Sequence, residues 1–123
     1  MADQPLQTKG VALVDDDEAI CDSTRLLLEL HDIPVQTYLS GDAFLASKPD
    51  VACLIIDYQM PGLDGLETVK QARQQGLTMP AVMITATINP AIEQRATALG
   101  ISQFLRKPLA GVSLLSAIRH ATE

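Results

Sequence analysis

The stretch Val51-Ala-Cys-Leu-Ile-Ile56 is apolar at every position, with no alternation. A strand with one wet face alternates apolar and polar residues, so an unbroken run predicts a central strand covered on both faces. Such a strand belongs in a parallel sheet wrapped by helices. Asp57 ends the run, which leaves a carboxylate at the carboxyl end of that strand. A second buried run, Ala81-Val-Met-Ile84, follows Met79-Pro80 and ends at Thr85.

The rest of the chain alternates short β-type runs with helical segments, about five rounds in all, separated by turn signals. Gly10-Val-Ala-Leu-Val14 predicts the first strand, followed by acids and a helix from about Glu18 to His31 whose Ile20, Thr24, Leu27 and Leu28 share a face. Ile33 to Tyr38 contains Pro34, which cannot donate to a central ladder and so marks a strand start or a sheet edge, and the second strand is expected to be peripheral. Ser40 caps the next helix, with Leu39 and Phe44 as its hydrophobic staple and an end near Lys48-Pro49. Asp64 and Glu67 form a capping-box-like pair ahead of Leu66 and Val69, and Gly76 closes that helix. Asn89-Pro90 supplies a cap and a first-turn proline, and Gly100 a stop. Ser102 to Leu105 is a brief last strand; Arg106-Lys107-Pro108 then leads into an amphipathic helix holding Leu114, Leu115 and Ile118. With no repeat, low-complexity tract or linker, residues 1–123 are expected to form one domain.

Composition narrows the function classes. Apolar residues make up 47% and charged residues 20%, enough for one continuous core and too apolar for a disordered chain. Fifteen acids against nine lysines and arginines give a net charge of −6, the wrong sign for direct binding to nucleic acid or to an anionic membrane. No apolar run approaches the ~20 residues a membrane helix needs, and Met1 to Pro5 lack a basic-then-apolar signal region, so a cytoplasmic location is expected. Cys21 and Cys53 are too few for a disulfide framework and are assigned to packing. His31 and His120 lie near predicted helix C-termini, where an imidazolium suits the dipole without any role in a site.

In open α/β sheets the ligand site lies beyond the carboxyl ends of the strands. The polar residues there are Asp15, Asp16 and Asp17 after the first strand, Asp57 after the third, Thr85 after the fourth and Lys107 after the fifth. Carboxylates one strand spacing apart, roughly 5 Å, repel by about 3 kcal/mol per pair at an effective dielectric near 20. Lys107 alone cannot balance them. A hard divalent cation does, and Mg²⁺ typically takes one or two carboxylates, keeps several waters and recruits phosphate oxygens. The cluster therefore predicts a Mg²⁺-assisted phosphoryl site in which Asp57 attacks, Lys107 neutralises oxygens and Thr85 donates its hydroxyl. Asp17 fits a simpler role, as a carboxylate capping the amides of the first helix.

Four motifs in order, Leu13-Val-Asp-Asp-Asp17, Asp57-Tyr-Gln-Met-Pro61 with Asp64-Gly65 after it, Ile84-Thr85-Ala86, and Lys107-Pro108, make the chain resemble the receiver domains of two-component response regulators along essentially its whole length. The resemblance implies a flavodoxin-like, CheY-like doubly wound sheet of five parallel strands in the flavodoxin-like order 2-1-3-4-5 with five flanking helices. It implies that Asp57 accepts a phosphoryl group from a phosphohistidine of a sensor histidine kinase or phosphotransfer protein. By the same resemblance Asp16 and Asp57 bind Mg²⁺ directly, Asp15 acts mainly through water, and the backbone carbonyl of Gln59 completes the protein ligands. Thr85 then moves toward the phosphate, Phe104 turns inward, and the face built from helix four, strand five and helix five changes partners, as a homodimer or against an effector domain. Gln59 and Thr87 occupy positions that influence attack by water on the phosphorylated form. The domain would be a signalling switch that catalyses its own phosphorylation and dephosphorylation, not an enzyme acting on metabolites.

Two other readings compete. Asp15-Asp16-Asp17 also satisfies the Asp-x-Asp pattern of Mg²⁺-dependent haloacid dehalogenase-type phosphatases, with Asp15 as nucleophile and Asp17 as general acid. Ala19 departs from the Thr or Val usual there, and Asp57-x-x-Met-Pro61 is left without a purpose. A receiver-like module that docks without being phosphorylated is the other alternative. A flavin protein is a poor fit, because no Ser/Thr/Gly-rich phosphate loop follows Val14.

Overall fold

The computed structural model describes residues 4–87 and 89–123. Its centre is the strand the apolar run predicts: β3 (Cys53–Asp57), flanked by β1 (Val11–Val14) and β4 (Ala81–Thr85), with β2 (Val35–Tyr38) and β5 (Ile101–Arg106) at the edges. All neighbours pair in parallel in the order β2-β1-β3-β4-β5. Every residue of β1, β3 and β4 is buried.

The apolar residues of the three central strands each face one of two apolar layers. Ala12, Val14, Leu54, Ile56 and Met83 point to one side, against Phe44 of α3 (Gly41–Ser47), Leu66, Val69 and Ala72 of α4 (Gly65–Gln74) and Ala96 of α5 (Pro90–Ala98). Val11, Leu13, Cys53, Ile55, Val82 and Ile84 point to the other, against Cys21 and Leu28 of α2 (Glu18–Glu29) and Leu114, Leu115 and Ile118 of α6 (Gly111–Thr122). Burial of each large side chain contributes about 1.5–3 kcal/mol, and this term holds the helices to both faces.

The side-chain caps form as the sequence pattern predicts. Ser40 accepts from the amide of Ala43, Asp64 from Glu67, and Asn89 from Ile92, each satisfying a first-turn donor that has no helical partner.

Several expectations need correction. The flanking helices among the described residues number six, because α1 (Gln4–Lys9) precedes β1; helices four and five of the sequence reading are α5 and α6. Six residues carry too little periodicity to signal a helix, and α1 is held instead by Leu6, buried in the same layer as Leu28. Met1 to Asp3, part of the expected domain and of the segment searched for a signal, lie outside the described residues. Helix α2 stops at Glu29 rather than near His31: Asp32 adopts φ +60° and the Ile33 amide turns back to the Leu28 carbonyl at 3.0 Å. Its inward face is Cys21, Thr24 and Leu28, with Ile20 and Leu27 half-buried. Leu39, expected as a staple, is 49% exposed, while Phe44 meets the ring of Tyr38 edge-on at 5.7 Å. Pro34 lies just before edge strand β2, where its carbonyl accepts from Val11. No helix among the described residues is long and apolar enough to cross a membrane.

Candidate functional site

The parallel register brings four strand ends to one place. Asp15 follows β1 directly, and its amide continues the pairing with β2 by donating to the Tyr38 carbonyl at 3.1 Å. Asp57 is the last residue of β3 and stands beside Ile84 of β4. Thr85 ends β4, opposite Arg106, and its carbonyl accepts from the Lys107 amide at 3.0 Å, which carries Lys107 over the sheet. The Lys107 ammonium donates to Oδ2 of Asp57 at 2.9 Å.

The acids divide their labour. Asp17 is committed to the helix, its Oδ1 accepting from Ala19 at 3.0 Å and Ile20 at 3.2 Å. Asp15, Asp16 and Asp57 each offer a carboxylate oxygen within 4.8 Å of the others. Asp15 is 1% exposed and Asp57 2%, whereas Asp16 reaches solvent. At an effective dielectric near 20, two charges 4.8 Å apart repel by about 3 kcal/mol. Oδ1 of Asp15 accepts from the Asp17 amide at 2.9 Å, but its buried Oδ2 has no partner. Burial, seconded by the charges of Asp57 and Asp16, pushes the Asp15 carboxyl above the usual carboxylate range, against the pull of the Asp17 amide and Lys107. Burial acts to lower the Lys107 ammonium, yet its hydrogen bond to Asp57 and the surrounding acids prevail and hold it above its ordinary value.

An anionic pocket with an orphaned carboxylate oxygen suits a hard cation. Oxygen donors are what Mg²⁺ prefers, and a hydrated ion would both satisfy Oδ2 of Asp15 through one of its waters and relieve the repulsion. The set of donors fits such an ion.

Thr85 and Phe104 are carried by β4 and β5. Thr85 is 2% exposed, and its hydroxyl donates to the Thr87 carbonyl at 2.7 Å and accepts from the Thr87 amide at 3.2 Å. Phe104 stands opposite Met83 on edge strand β5, half-buried against the α3/α4/α5 layer. Gln59 is exposed in the loop after β3. Cys21 and Cys53 are free and buried.

Gly65 is part of a motif, but the sequence carries no sign of its environment. A Cβ there would lie 2.6 Å from the Asp57 carbonyl oxygen and 2.9 Å from Cα of Tyr58. Arg73 is another residue without a sequence signal: it donates from α4 to the carbonyls of Leu99, at the end of α5, and Leu77, tying two connections together at 2.8 and 2.9 Å. Burial lowers its guanidinium from the ordinary value.

A family model of the response regulator receiver domain matches residues 11–119. The transcriptional regulatory protein FixJ of Azorhizobium caulinodans is 34% identical over 111 residues, covering 89% of this chain and 53% of the relative. Response regulator MprA of Mycobacterium avium is 33% identical over 115 residues, covering 89% and 49%. The chain thus spans about half the length of the curated relatives it matches. Among solved structures, chemotaxis protein CheY4 of Vibrio cholerae superposes with a TM-score of 0.85 at 29% identity, covering 91% of this chain and 97% of that one. FixJ-N superposes with a TM-score of 0.82 at 29% identity, covering 92% of each.

Proposed function

We propose that this chain, which belongs to the response regulator receiver family of two-component systems, is a phosphoacceptor switch in which Asp57 takes the phosphoryl group. The observation that carries the reading is the placement of Asp57: at the end of the central strand, 2.9 Å from the Lys107 ammonium and within 4.8 Å of two further acids. One Asp57 oxygen forms the new bond to phosphorus as the bond from phosphorus to the donor's imidazole nitrogen breaks. The imidazole, protonated at its other nitrogen, leaves neutral. Lys107 supplies positive charge beside the transferred oxygens, and Thr85 supplies a hydroxyl once it leaves Thr87.

Asp16, Asp57 and the Gln59 carbonyl would hold Mg²⁺, with Asp15 acting mainly through water; bound there, the ion neutralises phosphate oxygens and aligns them for in-line attack. The donor would be a histidine kinase or phosphotransfer protein. Residues 1–123 would act as a single receiver domain, located in the cytoplasm. Phe104, half-buried on an edge strand, would couple the new phosphate to the α5, β5 and α6 face, where a second copy or an effector domain would bind. The shift needs contacts that favour one packing over the other, and Thr85 and Lys107 provide them.

The haloacid dehalogenase-type alternative requires Asp17 as an acid beside Asp15, whereas Asp17 is engaged by two helix amides. Incubation with acetyl phosphate and Mg²⁺ followed by mapping of the acyl phosphate distinguishes the readings. Label on Asp57 supports the switch; label on Asp15 favours the phosphatase; no label on the intact protein favours a module that docks unphosphorylated.

A further inference from the structure

We propose that Gly65 is a positioning residue for the phosphoacceptor: without a side chain, α4 seats its first residue against the backbone of Asp57 and Tyr58, and this contact sets where the Asp57 carboxylate and the Gln59 carbonyl stand. The inference rests on the phosphoacceptor reading and adds to it a residue that touches neither phosphate nor metal.

Backbone conformation does not call for glycine here. Gly10, Gly62, Gly76 and Gly100 have positive φ; Gly65 does not. Helix propensity disfavours glycine as well, by up to about 1 kcal/mol relative to alanine. The remaining reason is space. A Cβ would fall 2.6 Å from the Asp57 oxygen, 2.9 Å from the Tyr58 Cα and 3.0 Å from Cε of Met83. Met83 could swing its terminal methyl aside, but the other two atoms are backbone, and that backbone is anchored. The Tyr58 amide donates to the Ile84 carbonyl at 2.8 Å, tying it to β4, and the Gly65 amide donates to the Tyr58 carbonyl at 2.7 Å, closing the loop that carries Gln59.

A methyl at Gly65 therefore cannot be absorbed locally. The 2.6 Å approach is about 0.8 Å short of the 3.4 Å at which ordinary contact begins, so α4 or the Asp57–Tyr58 peptide must move by that order. Mg²⁺ demands near-octahedral geometry at roughly 2.0–2.1 Å, and a 1 Å misplacement at a reacting centre can cost about 10²-fold in rate.

Gly41 separates positioning from packing. Its absent Cβ would collide with the Thr68 hydroxyl, which is also a close approach onto α4 but involves no backbone of the site. The experiment compares wild type, Gly65→Ala and Gly41→Ala by three readouts: calorimetric titration with MgCl₂, the rate of labelling by acetyl phosphate, and the thermal midpoint. Gly65→Ala is expected to raise the Mg²⁺ dissociation constant at least about 10-fold and to slow labelling about 10- to 100-fold. Gly41→Ala is expected to lower the midpoint while leaving metal affinity unchanged. Equal metal affinity in Gly65→Ala and wild type, or equal losses of affinity in both variants, overturns the inference. Wild type that neither binds Mg²⁺ nor takes label overturns the phosphoacceptor reading itself. Should Gly65→Ala not fold, the wild-type amide spectrum decides. The Gly65 resonance must move with Mg²⁺ saturation while Gly41 stays still, and an unmoved Gly65 resonance counts against the inference.

Discussion

Strand β3 begins and ends with a buried titratable side chain, Cys53 at 0% exposure and Asp57 at 2%. Cys53 belongs to the apolar α2/α6 layer, with a weak hydrogen bond from its sulfur to the Leu54 carbonyl at 3.7 Å, and burial pushes its thiol up to about 12. Asp57, a few residues on, faces a lysine and two acids. Burial alone silences a polar group; burial beside opposed charges is the setting in which functional groups cluster. The strand is the same and the environment differs because helices cover its body, whereas its carboxyl end opens into loops.

The largest expected effect is at the Asp57 end. Asp57→Asn keeps the volume and removes the proposed nucleophile, so stable labelling by acetyl phosphate should fall to background, as mass analysis of the intact protein would register. Labelling at the wild-type level would move the acceptor elsewhere. Between the two ends, Leu54→Ala removes a fully buried side chain from the α3/α4 layer and should cost about 2–5 kcal/mol in urea unfolding. Because Leu54 pairs with Ala12 and Ala81 in the body of the sheet, three positions before Asp57 on β3, Mg²⁺ affinity should hold in protein that remains folded; a large loss of affinity would mean that core and site are not separable.

Asp15→Asn tests the strain at the same end. The carboxylate has one unpaired buried oxygen and sits among like charges, so its removal should stabilise the metal-free protein by about 1–2 kcal/mol at pH 7 while weakening Mg²⁺ binding. Gain in one quantity with loss in the other, measured on one preparation by urea unfolding with and without MgCl₂, would show that the site opposes the fold until it is filled. A destabilised metal-free variant would contradict the electrostatic account.

What the sequence made legible follows from which forces are local. Runs with no alternation gave β1, β3 and β4, since a strand buried on both faces needs no partner to be recognised. Capping residues located the starts of α3, α4 and α5, because a cap is satisfied within three residues. Topology then brought Asp15, Asp57, Thr85 and Lys107 together, and the sequence already suggested that Asp17 would serve the helix. The misses were all tertiary. Helix α1 is anchored by the buried Leu6, and Phe44 meets Tyr38 across a strand–helix contact. The crowding at Gly65 depends on where α4 meets β3, a distance no spacing along the chain encodes.

The smallest effect near neutrality is expected at the silent end of β3, where the thiol should stay protonated until the solution is strongly alkaline. Native Cys53 at pH 8 should be about 10⁻⁴ thiolate, and Cys21, pushed up to about 11 by burial and the nearby Asp15, about 10⁻³. Both should resist alkylation that an unfolded chain undergoes readily. The sign of the stability change follows from linkage. A thiol whose folded value exceeds its ordinary 9.0 binds its proton more tightly in the native state, so its contribution is complete below pH 9 and is lost as pH rises toward 12. Urea unfolding of wild type should therefore show a falling limb above pH 9 that Cys53→Ala makes shallower, at the cost of about 1 kcal/mol in packing near neutrality. A limb equally steep in the variant would remove Cys53 as its source and, with it, the contrast between the two ends of the strand.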